Sequence, residues 1–205
     1  RYRSSAAPTS RPNGSSEANP RMTLPTCLRW LLLAALLMPA AGLYAPPALA
    51  QKVLSEAQVK ASFILNFARY VDWPERAFAD RQTPILLCQL GRDQLGAAFT
   101  ALENRPLHNR PVLTRLVGSV EEARNCHVVY FSDLDDRRQS AALRTLAAAP
   151  ILTIGDSDGF IDAGGIFGLV QGEQRYQFEV NLRAMEQAQL RASAQLLNLA
   201  RNVLR

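Results

Sequence analysis

The 205-residue chain is poor in the residues that most often carry chemistry, with three cysteines and two histidines. The cysteines form no CxxC pair, so a zinc site would have to recruit the distant His108 or His127. Neither a GxGxxG nor a GxxxxGK[ST] motif occurs, which excludes the glycine-rich phosphate loops of Rossmann and P-loop proteins. No internal repeat is present. These absences argue against metal-dependent and nucleotide-dependent enzymes.

Long apolar runs are also missing. The most apolar stretch, Trp30 to Leu37 (WLLLAALL), is soon followed by Pro39, well short of the roughly 20 apolar residues that a membrane span needs. Arg29 comes directly before this stretch, and the small residues of Ala48-Leu49-Ala50 follow it. That order is typical of a secretory signal that is cleaved after export. An uncleaved membrane anchor is the less favoured alternative.

The sequence therefore divides into three parts. Residues 1–21 are rich in Ser, Pro, Arg and Asn and lack apolar periodicity, which predicts a disordered upstream extension. Residues 22–50 form the predicted signal peptide, with cleavage near Ala50. Residues 51–205 are long enough for one domain with its own core. We expect this domain to function in the periplasm.

The excess of positive charge belongs to the leader. The whole chain carries a formal charge of +5, but residues 1–50 hold five Arg and one Glu, which leaves 18 basic and 17 acidic residues beyond Ala50. A nucleic-acid partner needs clustered positive charge on the domain that binds it. The nearly neutral domain therefore argues against nucleic acid as a partner.

Two cysteines remain in the exported part, Cys88 and Cys126. An even pair in an oxidising compartment favours a disulfide, which here would close a loop of about 39 residues. A catalytic dyad of Cys126 with His127 is disfavoured because neighbours on a strand point to opposite faces. A structural disulfide is therefore expected, with redox switching as the weaker alternative.

Helical and strand patterns alternate along the domain. Ser55 and Gln58 form a capping box for a helix that ends at Trp73-Pro74. Beyond it, short apolar runs that predict strands alternate with segments that predict helices. The expected strands cover residues 85–90, 112–117, 127–131, 151–154, 166–170 and 176–180. The expected later helices cover residues 93–102, a brief segment from Ser119, and residues 136–149, 182–190 and 193–204.

This order of elements predicts an α/β fold. Alternating strands and helices imply parallel strands whose crossovers place helices on both faces of the sheet. Tyr176, Phe178 and Val180 alternate with polar residues after a polar turn, which predicts a C-terminal antiparallel hairpin. We therefore expect a single-domain three-layer sandwich around a mixed, mostly parallel sheet.

Parallel sheets bind ligands at the carboxyl ends of their strands. Arg92, Ser132 and Asp156 follow three of the predicted strands and are the candidate ligand-binding residues. The acidic residues near these positions are explained as helix caps rather than metal ligands. The sequence offers no nucleophile paired with a general base, since Cys126 and His127 are expected on opposite faces of a strand. We therefore expect no catalytic residue, no metal and no cofactor.

Several segments, taken in order, resemble the YfiR family. No single segment is decisive, but together they span essentially the whole domain. They are FILNFARYVDWP (residues 63–74), LCQLGRD (87–93), CHVVYFS (126–132), ILTIGD (151–156), FEVNL (178–182) and SAQLLNLAR (193–201).

The resemblance implies a periplasmic regulator and not an enzyme. YfiR-like proteins bind the periplasmic region of a membrane-bound diguanylate cyclase and repress it, which lowers cyclic-di-GMP signalling and biofilm formation. An OmpA-like outer-membrane lipoprotein can sequester the regulator and release the cyclase. The resemblance also implies a disulfide between Cys88 and Cys126, in agreement with the cysteine count. Some relatives carry a second cysteine pair late in the chain, which this sequence lacks.

The glycine-rich loop before the hairpin supplies candidate partner contacts. It places large apolar residues beside glycines, and such residues either pin a loop to the core or form a partner surface. The candidates are Phe160, Ile161 and Phe167, together with Glu179, which alternates away from Phe178 on the predicted hairpin. Exposed apolar loops would also permit a homodimer.

Two functions stay open at this point. The favoured one is a repressor that binds a membrane-bound cyclase. The alternative is a periplasmic protein that binds a small molecule at the strand ends near Arg92, Ser132 and Asp156. A ligand retained in native mass spectrometry would favour the second function, and a co-purifying cyclase would favour the first.

Overall fold

The structure, a computed structural model, describes residues 54–173 and 175–205. The extension and the signal peptide expected over residues 1–50 lie outside the described residues, so both stay predictions. Within the described part, no helix is both long enough and apolar enough to cross a membrane.

The first helix, α1 (Glu56–Arg69), begins as the sequence predicts. The Ser55 hydroxyl accepts a hydrogen bond from the Gln58 amide, and the Gln58 side chain accepts one from the Ser55 amide. This capping box satisfies amide groups that the first turn of a helix leaves unpaired. The apolar face of α1 buries Ile64 and Phe67, which fixes the helix on the sheet.

The strands form one large sheet and one short pair. The short pair joins β1 (Val71–Asp72) to β9 (Arg191–Ala192) in antiparallel orientation. The large sheet consists of β2 (Ile85–Gly91), β3 (Pro106–Leu107), β4 (Arg110–Val117), β5 (Val128–Ser132), β6 (Leu152–Gly155), β7 (Phe167–Gln171), β8 (Tyr176–Asn181) and β10 (Asn202–Leu204). Their spatial order is β10-β8-β7-β6-β5-β2-β4-β3.

The large sheet is mostly parallel, as the sequence predicts. Strands β4, β2, β5, β6 and β7 run parallel to one another. Strands β7 and β8 form the expected antiparallel hairpin. The shorter helices are a 3₁₀ turn at Glu75–Ala77, α2 (Ala97–Thr100), α3 (Val120–Ala123), α4 (Asp136–Leu146), α5 (Leu182–Gln187) and α6 (Ala194–Leu197).

The sheet separates two clusters of buried side chains. Leu87 and Tyr130 face one side of β2 and β5, whereas Cys88 and Val129 face the other. Helix α1 covers the first face, and α3 with α4 covers the second. This alternation follows from the two-residue period of a strand. The result is the predicted three-layer α/β sandwich.

The C-terminal segment differs from the prediction. In place of one helix over residues 193–204, Ser193 caps the single turn of α6, and β10 then pairs in parallel with β8. The Arg201 amide donates to the Phe178 carbonyl at 2.8 Å, which begins this pairing. Pairing with β8 satisfies backbone groups that would otherwise be unpaired at the sheet edge. This tertiary contact overrides the helical pattern of the leucines.

Cys88 and Cys126 form the expected disulfide, with their Cα atoms 6.0 Å apart. Cys88 lies in β2, and Cys126 lies shortly before β5, its neighbour in the sheet. Both cysteines are buried on the face that α4 covers. The bond therefore fixes two adjacent strands to one another on that face.

Candidate functional site

The structure places the candidate ligand residues at one edge of the sheet but in different surroundings. Arg92 is exposed, and its guanidinium lies 3.0 Å from the Asp133 carboxylate. Ser132 is fully buried, and its hydroxyl has no hydrogen-bond partner among the described residues. Asp156 belongs to a larger cluster of charged and phenolic groups. Arg92 and Ser132 are adjacent, since the Arg92 amide donates to the Ser132 carbonyl at 3.1 Å. A ligand site at these strand ends stays a prediction.

The cluster around Asp156 centres on a lysine of α1. Lys60 Nζ lies 2.7 Å from Asp156 Oδ2 and 2.6 Å from Glu56 Oε1. The Tyr130 hydroxyl donates to the same Asp156 oxygen at 2.8 Å. The Tyr176 hydroxyl donates to Glu56 Oε1, also at 2.8 Å. We refer to these five residues as the Lys60 cluster.

The pairing within the cluster explains how a lysine is tolerated there. The side chain of Lys60 is 11% exposed, and a charge so far removed from water is costly unless it is paired. Burial opposes the charged form of Lys60, but hydrogen bonds to Asp156 and Glu56 outweigh burial and raise the pKa of the ammonium group. The hydrogen bond from Lys60, then the hydrogen bond from Tyr176 and the positive charge of Lys60, lower the pKa of Glu56.

The phenols of the cluster are held in their protonated form. Burial, and then the negative charge of Asp156, raise the pKa of the Tyr130 hydroxyl. Burial and the hydrogen bond to Glu56 raise the pKa of Tyr176. Lys60 keeps its proton as well. A general acid or base should change protonation near neutral pH, and the two phenols and Lys60 do not. The cluster is suited to anchoring α1 to the sheet.

Sequence reasoning identified Asp156 and missed the other members of the cluster. Glu56 and Lys60 lie four residues apart on an apolar helix, a spacing that favours an ion pair. That local signal does not show that Tyr130, Asp156 and Tyr176 approach the same helix, because their positions depend on the order of strands in the sheet.

A metal centre is not indicated in the part of the chain that the structure describes. No group of three or more His, Cys, Asp or Glu side chains lies there in an arrangement that could hold a metal ion.

The structure places three of the four candidate partner contacts in the core. Phe160 is 1% exposed and Ile161 is 3% exposed. Phe167 is fully buried, and its ring stacks on Phe67 of α1 with the centroids 4.3 Å apart. As placed here, these side chains present no surface to a partner. Glu179 differs, since it is partly exposed on β8.

Two glycines explain why Phe160 lies inside the protein. A Cβ atom at Gly155 or at Gly165 would collide with the Phe160 ring. The ring therefore occupies space that exists only because both neighbours lack a side chain. It also meets Phe131 edge to face, with the centroids 5.4 Å apart. Here the apolar residue pins the glycine-rich loop to the core.

An open groove next to the Lys60 cluster is the more accessible candidate for binding. The groove has a volume of about 580 Å³ and lies between α1, β8 and the segment before β10. We call it the α1 groove. Its lining residues are Val59, Phe63, Arg175, Tyr176, Gln177, Phe178, Leu199 and Arg201. Leu199 is 70% exposed, so the groove combines apolar surface with two arginines.

Comparison with a solved structure gives only a weak likeness. A conserved domain protein from Vibrio cholerae O1 biovar El Tor is 13% identical to this chain, with a TM-score of 0.45. The likeness covers 73% of this chain and 60% of the length of that protein.

Comparison with family models gives a match over nearly the entire described domain. The model described as YfiR/HmsC-like matches residues 57–201, from the first turn of α1 to the residue before β10. The matched range includes both disulfide cysteines, the Lys60 cluster except Glu56, and the whole α1 groove. The chain belongs to the YfiR/HmsC-like family.

Proposed function

We propose that this protein is a periplasmic regulator that binds the periplasmic region of a membrane-bound diguanylate cyclase and represses the enzyme. The observation that carries the proposal is the family match over residues 57–201. Repression lowers cyclic-di-GMP and, through it, biofilm formation. An OmpA-like outer-membrane lipoprotein is the proposed antagonist, which sequesters the regulator.

The disulfide supports a location outside the cytoplasm. Structural disulfides form and persist in oxidising compartments and are rare in the reducing cytoplasm. Cys88 and Cys126 are bonded and buried. A protein in the periplasm does not meet cytoplasmic nucleotides, so its effect on cyclic-di-GMP has to pass through a partner that spans the inner membrane.

We propose the α1 groove as the surface that contacts the cyclase. Partner surfaces commonly combine an apolar centre with polar residues at the rim. The exposed Leu199 and the half-buried Phe63 supply apolar area, and Arg175 and Arg201 supply positive charge beside it. Glu179, on β8 next to the groove, is retained as a candidate contact.

The test combines a deletion strain with two matched variants. Deletion should raise cellular cyclic-di-GMP, and the wild-type gene should restore the lower level. Leu199→Ser should fail to restore it and should lose co-purification with the cyclase. Leu116→Ser is the control, because Leu116 is an exposed leucine on β4, outside the groove. Unchanged cyclic-di-GMP after deletion, with no cyclase recovered, would refute the proposed function.

The same strains separate a wrong surface from a wrong function. If the wild-type protein represses the cyclase and the Leu199→Ser variant represses it equally well, the contact lies outside the α1 groove. The proposed role as a regulator would then stay intact. A small molecule that stays bound in native mass spectrometry, together with normal cyclic-di-GMP in the deletion strain, would favour the small-molecule alternative.

A further inference from the structure

A short segment crosses the amino-terminal edge of the sheet and is held there by the side chains of Arg110, in β4, and of His127, the residue before β5. The segment covers residues 75–83, and we call it the strap. It contains the 3₁₀ turn and Phe78, and it ends in a turn where Asp80 accepts hydrogen bonds from the amides of Gln82 and Thr83. The strap forms one wall of a cleft of about 440 Å³, whose other walls include Trp73 and His108.

His127 joins the strap to the sheet through both of its ring nitrogens. Nδ1 accepts from the Leu86 amide of β2 at 3.0 Å, and Nε2 lies 3.1 Å from the Ala77 carbonyl of the strap. An amide N–H can only donate and a carbonyl can only accept. Nδ1 must therefore be unprotonated and Nε2 must carry the proton. The neutral Nε2–H tautomer alone satisfies both contacts.

The ring of Phe78, in the strap, contacts both His127 and Arg110. Its ring stacks on the His127 ring, with the centroids 4.6 Å apart and the planes at 14°. On Phe78 also lies the Arg110 guanidinium, 4.0 Å from the ring centroid. Arg110 donates to the Asp80 and Thr83 carbonyls at 2.7 and 2.8 Å. The strap is thus held at two points, by a permanently charged arginine and by a histidine.

We propose that His127 is a pH-sensitive anchor, which holds the strap on the sheet while the imidazole is neutral and releases it when the imidazole is protonated. Protonation would turn Nδ1 into a donor that faces the Leu86 N–H, so the ring would have to leave that amide. Phe78 and Ala77 contact the ring and would move with it. Because the strap and Trp73 line the same cleft, release of the strap would change the shape of that cleft.

The surroundings of His127, burial above all, favour its neutral form. Burial lowers the pKa of the imidazole, the hydrogen bond to Ala77 opposes that effect, and the positive charge of Arg110 adds to it. The other ionisable residues near the ring in sequence are Arg124, before β5, and Glu75, Arg76, Asp80 and Arg81 of the strap. Asp80 is occupied by the Gln82 and Thr83 amides.

The test follows individual amides of the purified, ¹⁵N-labelled protein by NMR between pH 7.5 and pH 5. Protection of the Leu86 and strap amides against hydrogen exchange should fall by up to about tenfold per pH unit as pH drops from the ordinary histidine pKa toward that of His127. Protection of the Val129 amide, in the core of β5, should stay constant. The Trp73 indole signal should shift over the same pH range.

Two variants assign the effect to one histidine. His127→Gln keeps an acceptor and a donor but does not titrate, so it should abolish the pH dependence. His108→Gln removes the other histidine, which contacts the Ala68 carbonyl, and should leave the pH dependence in place. Constant protection of Leu86 and the strap through the titration of His127 would overturn the proposal, as would an equal loss at Val129. The wild-type comparison decides the question even if His127→Gln fails to fold.

Discussion

In the described part of the chain, Lys60 is the one charged residue that counts as buried. Its ammonium group lies between Asp156 and Glu56, at hydrogen-bond distance from both. Such a pair contributes little compared with apolar packing, but removal of one partner leaves a charge without compensation. The effect of the cluster on stability is therefore measured by single substitutions, which leave one charge without its partner.

Lys60→Met should lower the free energy of unfolding by about 2 kcal/mol, because Asp156 would keep a largely buried charge without its cation. Adding Asp156→Asn should recover part of the loss, since it removes the charge left behind. Urea unfolding measures both effects. Arg137→Met, on the exposed face of α4, is the control and should change stability by less than about 0.5 kcal/mol. Equal effects of the two Met substitutions would contradict this account.

Gly165→Ala should destabilise the protein by about 2 kcal/mol, because the added methyl group would overlap the buried Phe160 ring. Phe160→Leu in the same chain should relieve the overlap, so the double variant should be more stable than the sum of the single effects. Gly118→Ala is the matched control, since nothing lies within 4 Å of a Cβ at that position. Additive thermal-unfolding effects would argue against the contact.

At the scale of elements, local patterns predicted the central strands well and the C-terminal segment poorly. The strands β2, β5 and β6 lie within one residue of their expected ranges, because unbroken apolar runs between turns have few other solutions. Residues 193–204 carry a helical pattern, yet the secondary structure that they adopt depends on the edge that β8 offers for pairing. The Lys60 cluster was missed for the same reason, because strand order is not readable from local sequence.

The disulfide joins β2 to the segment just before β5 and should contribute to the stability of the fold. Replacement of Cys88 and Cys126 together by Ala should lower stability by about 4 kcal/mol, the value that the chain-entropy model gives for a loop of this length. Urea unfolding of the wild type with and without dithiothreitol should reproduce the difference. The double variant should not respond to dithiothreitol. A wild-type protein equally stable in both redox states would contradict the prediction.

At the scale of the whole molecule, the two faces of the sheet carry different features. The α1 groove and the Lys60 cluster lie on the face that α1 covers, and the disulfide lies on the face that α4 covers. Of the three strand-end residues that are candidates for a ligand site, Asp156 pairs with Lys60 and thereby secures α1. The α1 groove, which we propose as the surface that contacts the cyclase, is formed by α1, β8 and the segment before β10.

Stability of the whole molecule should decline in two steps as pH falls. The folded state lowers the pKa of His127 below its ordinary 6.5, so the unfolded state takes up this proton first and stability decreases below pH 6.5. The folded pKa values of Glu56 and Asp80 are also lowered, from 4.5 and 3.8. Their contribution is present above those values and is lost as pH falls through the folded values.

Urea unfolding at intervals from pH 8 to pH 3 would resolve the two steps. His127→Gln should flatten the upper step, and Asp80→Asn should reduce the lower one. His108→Gln serves as the control for the upper step. A wild-type profile that is reproduced by all three variants would show that other groups determine the pH dependence.

The contact of Phe160 with Gly155 and Gly165 also bears on how this sequence can vary during evolution. Neither glycine can gain a side chain while the ring stays in place, and a smaller residue at position 160 would leave an empty space between them. Substitutions at the three positions should therefore occur together in the history of the family. An alignment of relatives would show this as covariation between positions 155, 160 and 165.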